Sequence, residues 1–490
     1  MQKRVLSILL SVTFMLASCL GRVSYIIFSG YYMVSSGYNS YKLVIDKLNK
    51  NVYDCNMKKL NNNKTKLVAV IKPDEKCLSE LNLLFNTNER KIIVDELSKG
   101  YPVIKEVSHY ASCKNIKLLE VYDSEIANNA LNPFINTDEI IAEKSISFAV
   151  DAKGRYLSGD NDVINTENYN SKSGVQLSID GKIQSIADCE ISKIDKGSIV
   201  ICDVDTNRIL AMSSAGNDGI NRCVSPCAVG SVFKLIVAAC ALENGINQIY
   251  YCNGEVTVGD TVFSCQNKTG HKNENMQTAL ENSCNCYFIE LALKLGSEKL
   301  IKTARDFGFG SELNLLDNYS VSAGNLPDEQ DLKSKGQLAL LGFGQGKLNA
   351  SPLAFCNAMC AIANGGLYIA PVILIGDVDS EGRVAECKLS KHERIISETT
   401  SATMLKYMRG VVENGTGKSA DYSGQSAGKT STAQTGIYVD GTEILNTWFA
   451  GIYPYDNPKY AIVVTVEGGK SGAGDCCPIF RSLVEKIDKM

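Results

Sequence analysis

A basic surplus is the first thing missing from this chain of 490 residues: 50 Lys and Arg stand against 54 Asp and Glu, a formal net charge of −4. Displacing the counterions of a phosphate backbone takes an excess of cations, so nucleic acid is not an expected partner. Histidine is scarce too, with only His109, His271 and His392. None stands beside a Cys-x-x-Cys pair, so a zinc site has little support, and neither a metal nor a cofactor is expected. A Ser-His-Asp triad would need one of the three to reach a serine, and none sits in a recognisable nucleophile elbow. His271 therefore reads as structural. The single tryptophan, Trp448, opens a strand-like run and reads as a packing residue. No repeat of roughly 20 to 50 residues is evident, which excludes solenoid and propeller arrays.

What is present fits a globular protein of two or three domains, with 44% hydrophobic and 21% charged residues. Lys3 and Arg4 precede Val5 to Leu20, sixteen residues without a charge. With the apolar Val23 to Phe28 beyond Arg22, this reads as a membrane anchor with its basic end inside and the rest of the chain outside. Tyr25, Tyr31 and Tyr32 fall where an interfacial belt would lie. The competing reading is a cleaved signal: Leu16-Ala17-Ser18-Cys19 resembles a lipoprotein cleavage box, with Cys19 as the lipidated terminus. The apolar chain after Cys19 favours the uncleaved anchor, and both readings give an extracytoplasmic body. Eighteen cysteines form no regular framework, and most read as small buried hydrophobes. Cys252 and Cys265 bracket NGEVTVGDTVFS, a hairpin pattern turning at Gly259-Asp260, and are a candidate cross-strand disulfide whose register one sequence leaves open.

Three segments are expected: the anchor over 1–30, an N-terminal pedestal or dimerisation-like domain over 31–175, and a larger domain over 176–490. The boundary is placed by the Asn/Ser/Asp-rich stretch from 158 to 174. The pedestal mixes Asn-rich runs with a helical pattern in KIIVDELSKG. Beyond the boundary, KGSIVICDVDTNRILAMSS reads as a hairpin joined at Asp205-Thr206-Asn207, and NTWFAGIYP and KYAIVVTVEGG as two strands turning at Tyr455 to Pro458. Helices are expected from Ser231, over NCYFIELALKLG with Gly296 as C-cap, and over PIFRSLVEKI. Hairpins on either side of a helical block imply an α+β domain with an antiparallel sheet.

Within that block Ser231 and Lys234 are three apart, on one face of a helix, where hydroxyl and amine can cooperate. A second pair at that spacing, Ser426 and Lys429, precedes a strand-like run whose alternate residues face opposite ways, so it does not cooperate. A shielded Lys234 would have its charged form disfavoured and serve as base, and the helix N-terminus favours an oxyanion beside Ser231. Two further stretches add to this pair: Ser283 and Asn285 before a helix, and Lys429, Thr430 and Thr432 on a strand.

In the order SxxK, SxN and KT(x)T, these resemble the three active-site motifs of the penicillin-recognising serine enzymes. The gaps are 283 − 231 = 52 and 429 − 283 = 146 residues. Further stretches in the same order, among them GVQLSIDGKIQ, LGFGQGKLNASPLAFCNAMCAIANGG and MRGVVENGTG, resemble class B penicillin-binding proteins. The resemblance implies an antiparallel sheet flanked by helices, and a peptidoglycan D,D-transpeptidase. Ser231 would attack a D-Ala-D-Ala stem and Lys234 take its proton. Ser283 would pass a proton to the leaving amine, with Asn285 holding Lys234 and the substrate amide. Lys429 would supply positive potential, Thr430 and Thr432 hydroxyls would bind the substrate carboxylate with Ser431 between them on the substrate-binding strand, and the backbone N–H groups of Ser231 and Thr432 would form an oxyanion hole. Implied partners are peptidoglycan peptide stems, β-lactams and a polytopic membrane glycosyltransferase. Residues 31–175 are too few for a second catalytic domain, and no binding repeats are expected after Met490. Two positions depart from the family pattern. Val229 replaces a common proline, a mild change in loop stiffness. Ser431 stands where the third motif has glycine, and its added side chain would narrow the cleft or push the strand from the neighbouring helix. That leaves two alternatives to the transpeptidase, a D,D-carboxypeptidase or β-lactamase-type hydrolase and a catalytically impaired sensor or scaffold.

Overall fold

In the computed structural model Gln2–Ser29 forms one helix, α1, whose stretch Ile8–Tyr25 has a mean hydropathy of 1.5 and no buried residues. It is long and apolar enough to cross a membrane. The structure describes residues 2–29, 40–61, 64–123, 130–135, 140–151, 156–157, 162–166, 171–316, 318–387 and 392–490. Tyr31 and Tyr32, and residues 158–161 and 167–170 of the polar stretch from 158 to 174, lie outside them.

The chain divides into two units, one built from 1–48, 64–123 and 140–170 and the other from 49–63, 124–139 and 171–490. In the first, Lys64–Ile71 pairs antiparallel with Val103–Val107 on one side and Lys117–Asp123 on the other. The helix read from KIIVDELSKG spans Thr87–Leu97. Its start is fixed by a capping box in which the Asn86 side chain accepts from the Glu89 N–H and the Glu89 carboxylate accepts from the Asn86 N–H. Ile93 and Leu97 face Ala69 and Ile71 of the sheet in a small core.

The second unit carries a five-stranded antiparallel sheet built from β1 (Gly197–Asp203), β2 (Ile209–Ala215), β3 (Ala427–Val439), β4 (Thr442–Tyr453) and β5 (Tyr460–Glu467), in the order β2-β1-β5-β4-β3. Both expected hairpins form. The near-continuous apolar run of β1 follows from burial on both faces. Ile199 and Ile201 point to one face with Ile183, Phe480 and Leu483. Val200 and Cys202 point to the other, with the helical block. The helices of the first face are α2 (Gly181–Ile191) and the closing α7 (Gly472–Asp488). Against the second pack α3 (Lys234–Glu243), α4 (Asn285–Leu295), α5 (Pro352–Ala363) and α6 (Glu398–Glu413). This is the expected α+β architecture, and it sandwiches the sheet so that the edge strand β3 lies beside the turn that opens α3.

Candidate active site

Ser231 lies one turn ahead of the expected helix proper. Gly230–Phe233 is a 3₁₀ turn, and α3 begins at Lys234. Gly230 has φ +59 and donates its N–H to the Gly344 carbonyl at 2.9 Å, which pins the turn to the loop after Leu341. The Trp448 indole donates to the Ala228 carbonyl at 2.9 Å, so the residue read as packing also holds the chain entering this turn. Among the described residues the half-buried Ser231 hydroxyl has no hydrogen-bond partner, and it opens into a cleft of about 510 Å³. Ser283, Asn285, Thr430, Ser431 and Thr432 line the same cleft.

Beneath it lie two buried lysines. Lys234 Nζ donates to the Ser283 carbonyl at 2.8 Å, to Asn285 Oδ1 at 2.7 Å and to Ser283 Oγ at 3.3 Å. Its complete burial pulls the amine down to about 8, against a weaker opposite pull from the Cys284, Cys265 and Cys286 thiols. Lys429 Nζ donates to Ser283 Oγ at 3.1 Å and to the Thr430 carbonyl at 3.0 Å. Burial, and then the neighbouring charge of Lys234, hold it well below the usual lysine range. One hydroxyl thus joins two amines that share a dry site, an arrangement suited to proton transfer. It is available because Ser283 does not cap α4: Cys284 is the N-cap, its Sγ accepting from the Tyr287 N–H. Ser283 itself sits at φ +52, a conformation rare for a residue with a side chain.

On β3 the Thr430 hydroxyl is 2.7 Å from that of Thr416, and the Thr432 hydroxyl accepts from the Gly472 N–H at 3.3 Å. Thr416 falls in MRGVVENGTG, where the sequence shows no reactive pattern. Ser426, the other serine with a lysine three residues on, is buried and accepts from the Tyr422 N–H. Ser431 does not push the strand away. The pairing of β3 with β4 is regular from Ala427 through Gln434, and the Ser431 side chain fits against Gly230, the one residue type that leaves it room: a Cβ on Gly230 would lie 2.5 Å from Ser431 Oγ. Among the described residues that hydroxyl is buried without a hydrogen-bond partner.

The hairpin beside the site turns where expected, Val258 opposite Thr261. Cys252 and Cys265 are free thiols with sulfurs 3.7 Å apart rather than a disulfide. Cys252 pairs not across that hairpin but in a second strand pair, Tyr250–Cys252 with Lys272–Glu274. His271 Nδ1 and Cys284 Sγ join the two cysteines, all four ligand atoms lying within 4.8 Å of one another. Sequence reasoning missed this cluster, because its members come from four separate points along the chain and show no metal-ligand spacing.

Residues 197–485 match the family model described as the penicillin binding protein transpeptidase domain. The chain is 31% identical over 366 residues to Stage V sporulation protein D of Bacillus subtilis, covering 68% of this chain and 55% of that protein. It is 26% identical over 394 residues to the Peptidoglycan D,D-transpeptidase FtsI homolog of Mesostigma viride, covering 69% and 65%. The chain therefore spans between about half and two thirds of these curated relatives. Among solved structures, the D,D-transpeptidase domain of peptidoglycan glycosyltransferase from Eggerthella lenta shares the fold with a TM-score of 0.63 at 21% identity, over 91% of this chain and 98% of that one.

Proposed function

Because the chain belongs to the penicillin binding protein transpeptidase family, we propose that it is a peptidoglycan D,D-transpeptidase working through an acyl-enzyme on Ser231. One observation carries the reading: Lys234, Ser283 and Lys429 form a continuous hydrogen-bonded relay under a cleft that also receives the unpartnered Ser231 hydroxyl.

In this reading neutral Lys234 takes the Ser231 proton as Oγ attacks the carbonyl between the two terminal D-Ala residues of a peptide stem. The backbone N–H groups of Ser231 and Thr432 receive the oxyanion. The proton returns through Ser283 to the departing D-Ala amine, while Asn285 holds Lys234 and the substrate amide. Lys429 supplies positive potential, and Thr430 and Thr432, on the strand that carries Ser431, receive the terminal carboxylate. The amine of a second stem then displaces Ser231 and closes the cross-link. A β-lactam would form the same ester and stay.

The apolar stretch Ile8–Tyr25 of α1, with Lys3 and Arg4 ahead of it in the sequence, supports anchoring in the cell membrane with the catalytic unit outside. Cross-linking needs glycan strands, so a polytopic membrane glycosyltransferase belongs to the proposal as partner. The test is incubation of the full chain with a fluorescent penicillin, followed by peptide mapping. A lasting adduct on Ser231 is expected. Rapid loss of label would indicate a hydrolase, and no label at all would overturn the catalytic reading.

A further inference from the structure

Four cysteines and a histidine crowd the space behind the Ser283 turn, and the relay above uses none of their side chains. Cys252 ends one strand, Cys265 follows the Glu255–Ser264 hairpin, His271 precedes the Lys272–Glu274 strand, and Cys284 is the middle residue of Ser283-Cys284-Asn285. A tetrahedral zinc ion with bonds of about 2.3 Å to sulfur and about 2.0 Å to nitrogen requires edges of about 3.8 Å between sulfurs and about 3.6 Å between sulfur and nitrogen. The structure has 3.7 Å from Cys252 to Cys265, 3.6 Å from Cys265 to Cys284, and 3.7 Å from Cys252 Sγ to His271 Nδ1. The three cysteines are buried and His271 half-buried.

A second observation points to thiolate rather than thiol at this place. The N-terminus of α4 aims two backbone N–H groups at the cluster, from Cys286 to Cys265 Sγ and from Tyr287 to Cys284 Sγ, each at 3.4 Å. A helix N-terminus favours negative charge, and N–H donors to sulfur are the outer contacts that orient and stabilise metal-bound thiolates.

We propose that Cys252, Cys265, His271 and Cys284 bind one zinc ion, and that this ion fastens the Ser283–Asn285 turn to the hairpin beside it. Three soft sulfurs and an imidazole select zinc over magnesium or calcium, and four protein ligands leave no open position, so the site is structural. Binding releases the thiol protons to solvent as the three Zn–S bonds form. Its consequence is local: Ser283 holds an unfavourable backbone conformation at φ +52 while its carbonyl and hydroxyl meet two buried lysines, and a ligand bond from the next residue fixes that turn. Cys286, 3.4 Å from Cys265, stays outside the tetrahedron as a neighbour of its sulfur.

The test uses the full chain, purified in detergent under reducing conditions and analysed for metal content by mass spectrometry. About one zinc per chain is expected, surviving dialysis against a weak chelator. Cys252→Ser, Cys284→Ser and His271→Ala should lose it. His271→Cys, and Cys189→Ser or Cys387→Ser at exposed thiols, should keep it. Because ligand variants can misfold, the wild-type chain is also loaded with Co²⁺, which should give the intense visible bands and thiolate charge transfer of a tetrahedral sulfur-rich site. Metal-free wild-type protein, zinc retained in both cysteine-ligand variants, or a mapped disulfide within the cluster would each overturn the site. Penicillin labelling of Ser231 in the same preparations is a separate readout, so a failed metal site and a failed transpeptidase reading are distinguishable.

Discussion

The Ser283 hydroxyl stands 3.1 Å from Lys429 Nζ while its own backbone carbonyl accepts from Lys234 Nζ at 2.8 Å, so one residue on a strained turn couples the amines of two distant segments. Removing that hydroxyl leaves two buried lysines with no shared partner. Ser283→Ala should slow acylation of Ser231 by roughly 10²- to 10⁴-fold, the range of a general acid–base step. The check is the second-order acylation rate with a fluorescent penicillin, alongside a circular dichroism spectrum that should be unchanged.

Lys234 sets the expected pH dependence. Its amine is drawn down to about 8 by burial, and the groups facing it are Lys429, Asn285 and the thiols of Cys265, Cys284 and Cys286. The neutral amine is the base, so the acylation rate should climb as pH rises through about 8 and level off above it. Stability should follow the same sign: between about 8 and the ordinary 10.5 the unfolded chain holds a proton here that the folded chain does not, so folding is favoured as pH rises across that window. A rate that falls between pH 7 and 9 would contradict the assignment of Lys234 as base.

Ser431 carries a cost that a single atom removes. Among the described residues its buried hydroxyl has no partner, a burden of about 1–3 kcal/mol for a polar group taken from water. Ser431→Ala keeps the Cβ that already fits beside Gly230 and should raise stability by about 1 kcal/mol, roughly 1–2 °C in melting temperature for a unit of this size. Differential scanning fluorimetry reads the shift directly.

The framework was legible where local pattern and burial agree. The β1–β2 hairpin, its turn at Asp205 to Asn207, the β4–β5 pair and the Gly296 end of α4 follow from alternation, turn residues and a left-handed glycine. The helix that begins at Lys234, just after Ser231, was legible from its apolar run. What escaped depends on contacts between segments far apart in sequence. That Cys284 rather than Ser283 caps α4 depends on its sulfur meeting the Tyr287 N–H. The Thr416–Thr430 contact joins a helix end to a strand, and the Cys252, Cys265, His271 and Cys284 cluster draws on four separate points along the chain. Ser431 was expected to narrow the cleft or push its strand from the neighbouring helix. A glycine two hundred residues upstream, invisible as a partner in sequence, makes the room.

That glycine points to the last prediction, which concerns its neighbour across the loop. Gly344 sits at φ +79, and a Cβ built on it would lie 1.9 Å from the Gly230 carbonyl, a rigid backbone atom one residue before the nucleophile. Gly245 has a similar φ of +64 but nothing within 4 Å, so it isolates the conformational penalty alone. Gly245→Ala should cost about 1 kcal/mol for the left-handed backbone and leave acylation unchanged. Gly344→Ala adds the collision, which the turn relieves only by shifting Gly230 and breaking its N–H bond to Gly344. It should cost more than about 3 kcal/mol and also slow acylation, because the shift is passed to Ser231. Chemical denaturation and acylation rates on the two variants separate backbone strain from displacement of the nucleophile, and equal acylation in both would show that Gly344 does not hold the turn.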